Sequence, residues 1–169
     1  MSSLKHQIDK IVHNRSLTGL MALYERNYQL LARLVPDFGR LPERAVSRVK
    51  GSPDLYLKVE ERARYTTTLL LTYYFPDRDG DPVAEPDLHV KAYHDARVVE
   101  AVACRKRGFR PLGEEERYRR PVLECKWESN VFLDKWLSYA LSLGHGFHPG
   151  RIEIPDDAER HDDLPAEVL

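Results

Sequence analysis

The fold is decided by one stretch of the chain, LYLKVEERARYTTTLLLTYYF at residues 55–75. Leu55, Leu57 and Val59 alternate with polar or aromatic residues, which is typical of a strand with one buried face. The second half of the stretch, residues 65–75, is rich in β-branched and aromatic residues and predicts another strand. The stretch therefore predicts an antiparallel hairpin.

The register of this hairpin is predicted from burial. A three-residue loop at residues 62–64 places Leu57 opposite Leu69, so that two leucines share one face. A two-residue loop places Leu57 opposite Thr68 instead, because a slip of one residue turns every side chain to the other face. We predict the first register.

Further strands are predicted on both sides of the hairpin. Residues 88–93 and 97–104 have alternating apolar residues and follow a loop at 77–86 that is rich in Asp, Gly and Pro. A weaker strand is predicted at residues 45–50. Together these segments predict an antiparallel meander of about five strands.

Apolar residues at helical spacing predict helices before and after the strands. The stripe at residues 17–34 is preceded by Ser16, a residue type that caps helices. Another stripe at residues 127–141 stops before Gly144, and a short first helix is expected to end near Asn14. The predicted fold class is α+β, with the meander packed on N-terminal and C-terminal helices.

Length, composition and charge limit the possible classes of protein. The 169 residues suit a helical extension at 1–15, a single α+β domain at 16–148 and an acidic, flexible tail at 149–169. The net charge of -1 gives no general attraction to nucleic acid or to an anionic membrane. The chain start lacks the apolar region of a signal peptide, and no run approaches the about 18 apolar residues of a membrane helix. We therefore expect a cytoplasmic location.

The candidate catalytic residues are His94, Asp95 and Glu100. A histidine beside a carboxylate could serve as an oriented general base. Adjacent residues in a tight turn point apart, however, and Asp95 is then more simply explained as bonding its own turn backbone. Because the sequence contains no recognisable catalytic signature, a hydrolase-type enzyme is an alternative hypothesis and not the leading one.

The outward face of the sheet is the main candidate binding surface. Its hydroxyls, amines and imidazole could hold a small anionic ligand or a protein partner. Arg62 and Arg64, in the loop of the first hairpin, are expected at the rim of this face. Their guanidinium groups match the geometry of phosphate. On this face we expect His89 to lie opposite Glu100, as a structural pair. The predicted ligand-binding residues are Tyr56, Lys58, Arg62, Arg64, Thr66, Thr68, His89, Lys91 and Tyr93.

The leading hypothesis is a non-enzymatic binding or regulatory module that uses this polar face. A third hypothesis is an RNA-binding accessory protein, because the connector at residues 105–120 is rich in Arg and carries Phe109 and Tyr118. Three glutamates at 114–116 interrupt the connector, which is typical of a solvated loop. The acidic tail could lie across this connector, an interaction that salt would weaken.

Neither a metal nor a cofactor is predicted. The acidic loop at 77–81 has the wrong glycine spacing for a calcium site. His145 and His148 lack further ligands nearby, and Cys104 and Cys125 match no zinc spacing. We interpret the two cysteines as reduced thiols.

Several separated blocks of the sequence resemble the YqiB-like family of bacterial proteins of unknown function. The blocks are Tyr65-Thr66-Thr67, Pro86-Asp87-Leu88, Tyr93-His94-Asp95-Ala96 with Glu100, and Lys126, Asn130, Phe132-Leu133 and Trp136-Leu137. The chain departs from the family where a Tyr-Pro-Asn segment and an acidic pair are expected, at Tyr118-Arg119-Arg120 and Glu124-Cys125. The resemblance implies a bacterial cytoplasmic protein and no particular reaction.

Overall fold

The computed structural model describes residues 16–76, 82–84, 87–105 and 122–156. The predicted first helix, most of the connector and most of the acidic tail lie outside the described residues, so those interpretations stay predictions. In chain order the elements are α1 (Leu17–Leu34), a 3-10 helix (Phe38–Arg40), β1 (Arg44–Ser47), β2 (Leu55–Arg62), β3 (Thr66–Pro76), β4 (Pro82–Ala84), β5 (Asp87–Tyr93), β6 (Val98–Arg105) and α2 (Val122–Ser142).

The predicted antiparallel meander is confirmed, in the order β1-β2-β3-β5-β6. The short strand β4 lies off this path and pairs with the end of β3. The prediction of a loop throughout 77–86 was therefore wrong for β4. Pairing of β3 with β2 ends at Tyr73, so β4 supplies partners for the backbone that follows.

The first hairpin keeps its predicted faces but not its predicted register. Leu57 lies opposite Leu71, and Leu69 lies opposite Val59, so the prediction was wrong by two residues. The cause is a β-bulge between Val59 and Glu61, together with a longer turn. A shift of two residues restores the same face, because side chains alternate with a period of two.

The second hairpin is also shifted by two residues. Lys91, and not His89, lies opposite Glu100, while His89 lies opposite Ala103. A four-residue turn at 94–97 replaces the predicted two-residue turn, and a β-bulge follows His89. The predicted pair of His89 with Glu100 is therefore wrong.

Both main helices begin or end as their sequences predict. The Ser16 hydroxyl accepts a hydrogen bond from the Gly19 N–H at 3.0 Å and caps α1. Gly144, just after α2, has a φ of 92°, a conformation that favours glycine. Neither described helix is both long and apolar enough to cross a membrane.

The helices bury their apolar stripes on one face of the sheet. Leu57 is 2% exposed and Val90 is fully buried, so the predicted orientation of the sheet is confirmed. The largest fully buried side chains of this core are Leu31, Leu34, Leu55, Leu69, Leu71, Leu88, Leu133, Leu137 and Phe147. A smaller cluster beside β6 contains Leu20, Leu23, Tyr24, Val98 and Trp127.

Both outer strands of the meander bond to neighbouring segments. Asn130 of α2 accepts a hydrogen bond from the Ala101 N–H of β6 at 2.8 Å. At β1, the Val46 N–H donates to the Glu153 carbonyl at 2.9 Å, and the two residues form an antiparallel bridge. This second contact lies beyond the predicted domain boundary at residue 148.

Candidate functional site

The face of the sheet opposite the helices is polar and partly exposed. We call it the open face. The residues predicted there, from Tyr56 on β2 to Lys91 on β5, alternate with buried core residues and are half-buried. Tyr93 lies at one border and packs against the small cluster beside β6. The open face contains Arg44, Tyr56, Lys58, Glu60, Thr66, Thr68, Leu70, Tyr74, Asp87, His89 and Lys91. It also contains Val46 and Thr72, which are only 1% and 3% exposed.

Three cationic side chains form a row across the open face, which we call the cation row. Arg44 lies opposite Lys58, Lys58 lies opposite Leu70, and Leu70 lies opposite His89. Arg44 points to this face because its neighbour Ala45 is fully buried on the helix side. The sequence did not indicate Arg44, because the strand that carries it is short and was placed one residue too late.

The pair Arg44 and Lys58 is electrostatically unfavourable. Like charges directly opposite each other on neighbouring strands destabilise a sheet. The Lys58 side chain forms no hydrogen bond or ion pair with any residue that the structure describes. An anion bound at Lys58 would offset this repulsion.

Two tyrosines adjoin this pair. The rings of Tyr56 and Tyr74 meet edge to face, with centroids 4.9 Å apart. Burial and then the Asp87 carboxylate raise the pKa of Tyr74, while Arg44 lowers it, which agrees with a position near both groups. The tyrosines provide neutral hydroxyls and ring surface beside the two cations.

His89 at the other end of the row is held between two carboxylates. Its Nδ1 lies 2.8 Å from Glu60 Oε2, and its Nε2 lies 3.7 Å from Asp87 Oδ2. Hydrogen bonding to Asp87 and to Glu60 raises the pKa of His89 to about 9, against the opposing effect of burial. Of the two carboxylates, Glu60 has the closer contact. His89 is therefore an imidazolium at neutral pH and is poorly suited to act as a base.

We expect NMR titration of the His89 imidazole to give a midpoint near 9, far above the ordinary 6.5. Stabilisation by this group is complete below about pH 6.5 and is lost as the pH rises through about 9, because the folded state binds the proton more tightly. Glu60→Gln should lower the midpoint, whereas Glu61→Gln on the adjacent position should change it little. A midpoint at or below 6.5 in the wild type would contradict the carboxylate contacts.

Glu100 has partners of its own at the border near β6. Its Oε1 accepts a hydrogen bond from the Tyr93 hydroxyl at 3.0 Å, and its Oε2 lies 3.6 Å from Lys126 Nζ. Burial and then the Glu100 carboxylate raise the pKa of Tyr24 to about 12. Lys91 lies over the Tyr93 ring, 5.6 Å from its centroid. This group of contacts ties β5 and β6 to the helices.

His94 has both ring nitrogens engaged. Its Nε2 lies 2.8 Å from the Thr67 hydroxyl oxygen, and its Nδ1 lies 3.3 Å from the Tyr28 hydroxyl oxygen. The Phe38 ring packs against it, 4.7 Å between centroids, and burial lowers its pKa. Asp95 is exposed in the turn. The candidate catalytic residues thus belong to separate contact groups.

The two arginines expected at the rim also differ from each other. Arg62 lies opposite Thr67 on the helix side and donates from Nη1 to the Phe38 carbonyl at 2.8 Å, with a further bond to the Leu41 carbonyl. The bulge in β2 accounts for this placement. Arg64 lies over the exposed ring of Tyr65, 5.1 Å from its centroid. The structure therefore places Arg62 away from the open face.

Nothing in the sequence predicted the buried contact between Ser47 and His145. Ser47 Oγ lies 3.0 Å from His145 Nδ1 and accepts a hydrogen bond from the Gly146 N–H at 3.1 Å. Burial lowers the pKa of His145. Ser47 is only 7% exposed, so its hydroxyl fixes the loop after α2 and is closed to a substrate. Within the described residues no cluster could hold a metal ion, and Cys125 is a free thiol.

Comparison with known proteins identifies the family. A family model described as a protein of unknown function, DUF1249, matches residues 30–146. The match covers most of the chain, and the protein belongs to this family, so the prediction of an uncharacterised family is confirmed. No curated protein and no solved structure matches the chain.

Proposed function

We propose that this protein is a non-enzymatic binding or regulatory module that holds a small anionic ligand between Arg44 and Lys58 on the open face. The Lys58 ammonium carries the proposal, because its side chain forms no hydrogen bond or ion pair with a residue that the structure describes, and because Lys58 lies opposite a second cationic residue on the open face. An ammonium and a guanidinium both donate strong, charge-assisted hydrogen bonds to phosphate or carboxylate oxygens.

The surroundings of the pair limit the chemistry of the ligand. Glu60 and Asp87 lie around His89 and repel anions from that end of the cation row. A compact phosphate or carboxylate group at the β1–β2 end fits best. The Tyr56 and Tyr74 rings beside it would accommodate an apolar or planar part of the same ligand.

The separation of the candidate catalytic residues favours binding over hydrolysis. A hydrolase needs a nucleophile, a base and an orienting group within hydrogen-bond reach of one another. His94 instead bonds Thr67 and Tyr28, while Glu100 bonds Tyr93 and Lys126. The resemblance to YqiB-like proteins supports a finer part of the proposal, that the module acts in a bacterial cytoplasm.

The test is titration of the protein with pyrophosphate at low salt, followed by backbone amide shifts and calorimetry. We expect shifts at residues 44–47 and 55–60. Lys58→Ala should weaken binding about tenfold, which corresponds to about 1.4 kcal/mol, because a charge-assisted contact is lost. Lys135→Ala removes an exposed lysine on α2 and should leave the affinity unchanged.

Equal affinity of the wild type and Lys58→Ala would overturn the proposed site. Native mass spectrometry of protein freshly purified from cells would show which kind of molecule occupies the site. A retained small anion that is lost from Lys58→Ala supports the proposal. A retained protein segment or nucleic acid would overturn it in favour of a partner-binding module.

A further inference from the structure

The two outer strands of the sheet are protected by contacts of different strength. At β6, the Ala101 N–H donates to Asn130, which is fully buried in α2. At β1, the Val46 N–H donates to the carbonyl of Glu153, which belongs to the segment 152–156 that we call the strap. Val46 and Glu153 form an isolated bridge and not a ladder of paired residues. The outer edge of β1 is therefore the less protected edge of the sheet.

The strap buries little of its own surface. Ile154 is 70% exposed, and Ile152 is only partly buried where it packs against the main core. Glu153 Oε2 accepts a hydrogen bond from Arg48 Nη1 at 2.6 Å, and Arg48 also bonds Asp54 at 3.2 Å. Both ion pairs are exposed to solvent, and such pairs contribute at most about 1 kcal/mol each. Because its contacts are few and exposed, the strap can leave β1 at a much smaller cost than unfolding of the domain.

The contacts of the strap indicate the chemistry of a segment that fits this edge. Its backbone is antiparallel to β1 and bonds the Val46 N–H. The carboxylate of Glu153 bonds Arg48, and the residue before it, Ile152, contacts the main core. An extended segment with an acidic residue directly after a branched apolar residue would repeat all three contacts.

We propose that the outer edge of β1 is a second binding site, which takes an extended acidic segment of a partner protein as an added antiparallel strand. The strap covers this edge until the partner segment displaces it. Strand addition provides affinity through backbone hydrogen bonds and specificity through side-chain contacts, here the ion pair with Arg48. The site involves neither Lys58 nor its anionic ligand, so this inference goes beyond the proposed function.

Native-state hydrogen exchange of the full chain tests whether the strap opens. After correction for intrinsic rates, we expect the Val46 amide to exchange at least about tenfold faster than the Ala101 amide, because only the Val46 amide is released by a local opening. Glu153→Ala removes the ion pair with Arg48 and should accelerate exchange at Val46 further, with no change at Ala101. Equal protection of the two amides in the wild type would overturn the inference.

The second experiment adds a partner strand of the stated chemistry to the full chain. The probe is a synthetic peptide with the sequence of residues 149–156, PGRIEIPD, followed by backbone amide shifts at millimolar concentration. We expect shifts at Val46 and Arg48. Binding should be about three- to fivefold tighter to Glu153→Ala than to the wild type, because the competing strap has lost an exposed ion pair.

A cycle of protein and peptide variants separates the specific contact from general charge. The same peptide carrying Glu153→Gln should bind the wild-type protein more weakly than the unmodified peptide does. Arg48→Ala in the protein should remove this difference, whereas Lys50→Ala, which removes an exposed lysine close to β1, should preserve it. The inference would be overturned by a difference that persists in Arg48→Ala, or by an absence of peptide-induced shifts at residues 44–48.

Discussion

Replacing Arg26 with methionine is expected to lower the free energy of unfolding by about 3–5 kcal/mol, because it leaves a buried carboxylate without its partner. Asp134 of α2 is only 1% exposed, and its Oδ2 accepts a hydrogen bond from Arg26 Nε of α1 at 2.5 Å. An unpaired charge at this depth loses its hydration and gains nothing in return. Urea denaturation of the variant and the wild type measures the difference.

Two further variants test whether the loss comes from the unpaired carboxylate. Arg33→Met removes an exposed arginine of α1 and should change stability by less than about 0.5 kcal/mol. The double variant Arg26→Met with Asp134→Leu should recover most of the loss, since apolar residues often replace a buried ion pair without cost. A loss below about 1 kcal/mol in Arg26→Met alone would show that the pair is solvated.

Phe147→Ala is expected to cost about 3–5 kcal/mol, although Phe147 lies in a loop. The side chain is fully buried in the main core, and its N–H donates to the Leu34 carbonyl at the end of α1, at 2.7 Å. Truncation would open a cavity where the loop after α2 meets both helices and the sheet. The midpoint of urea denaturation should fall with an unchanged slope.

Two comparisons test this explanation of Phe147. Phe147→Leu preserves most of the volume and should cost less than about 1.5 kcal/mol. Ile154→Ala lies in the same terminal region but is 70% exposed, so it should change stability by less than about 0.5 kcal/mol. Similar losses for Phe147→Ala and Ile154→Ala would contradict the packing that the structure shows.

The faces of the sheet could be predicted from the sequence, whereas the register could not. Alternation assigns Leu57 and Val90 to the core, and this assignment survives any shift of two residues. The bulges after Val59 and His89 have no clear sequence signal, since neither contains the glycine that often marks one. They decide that Lys91 and not His89 faces Glu100.

Only part of the candidate site could be predicted from the sequence, because the register again decides the rest. Lys58 and His89 belong to clear strands and were found, but the Arg44–Lys58 pair depends on the register of the short strand β1. The contact between Ser47 and His145 joins residues 98 positions apart, and only tertiary packing creates it. Local patterns carry no information about such contacts.

The hydrogen bonds at the two outer strands determine how this molecule can meet another protein. An incoming strand that tried to extend the sheet would find the Val46 N–H already bonded to Glu153 and the Ala101 N–H already bonded to Asn130. Strand addition at these two positions would first have to displace a segment of the protein's own chain. A partner that contacts the side chains of the open face would not have to displace such a segment.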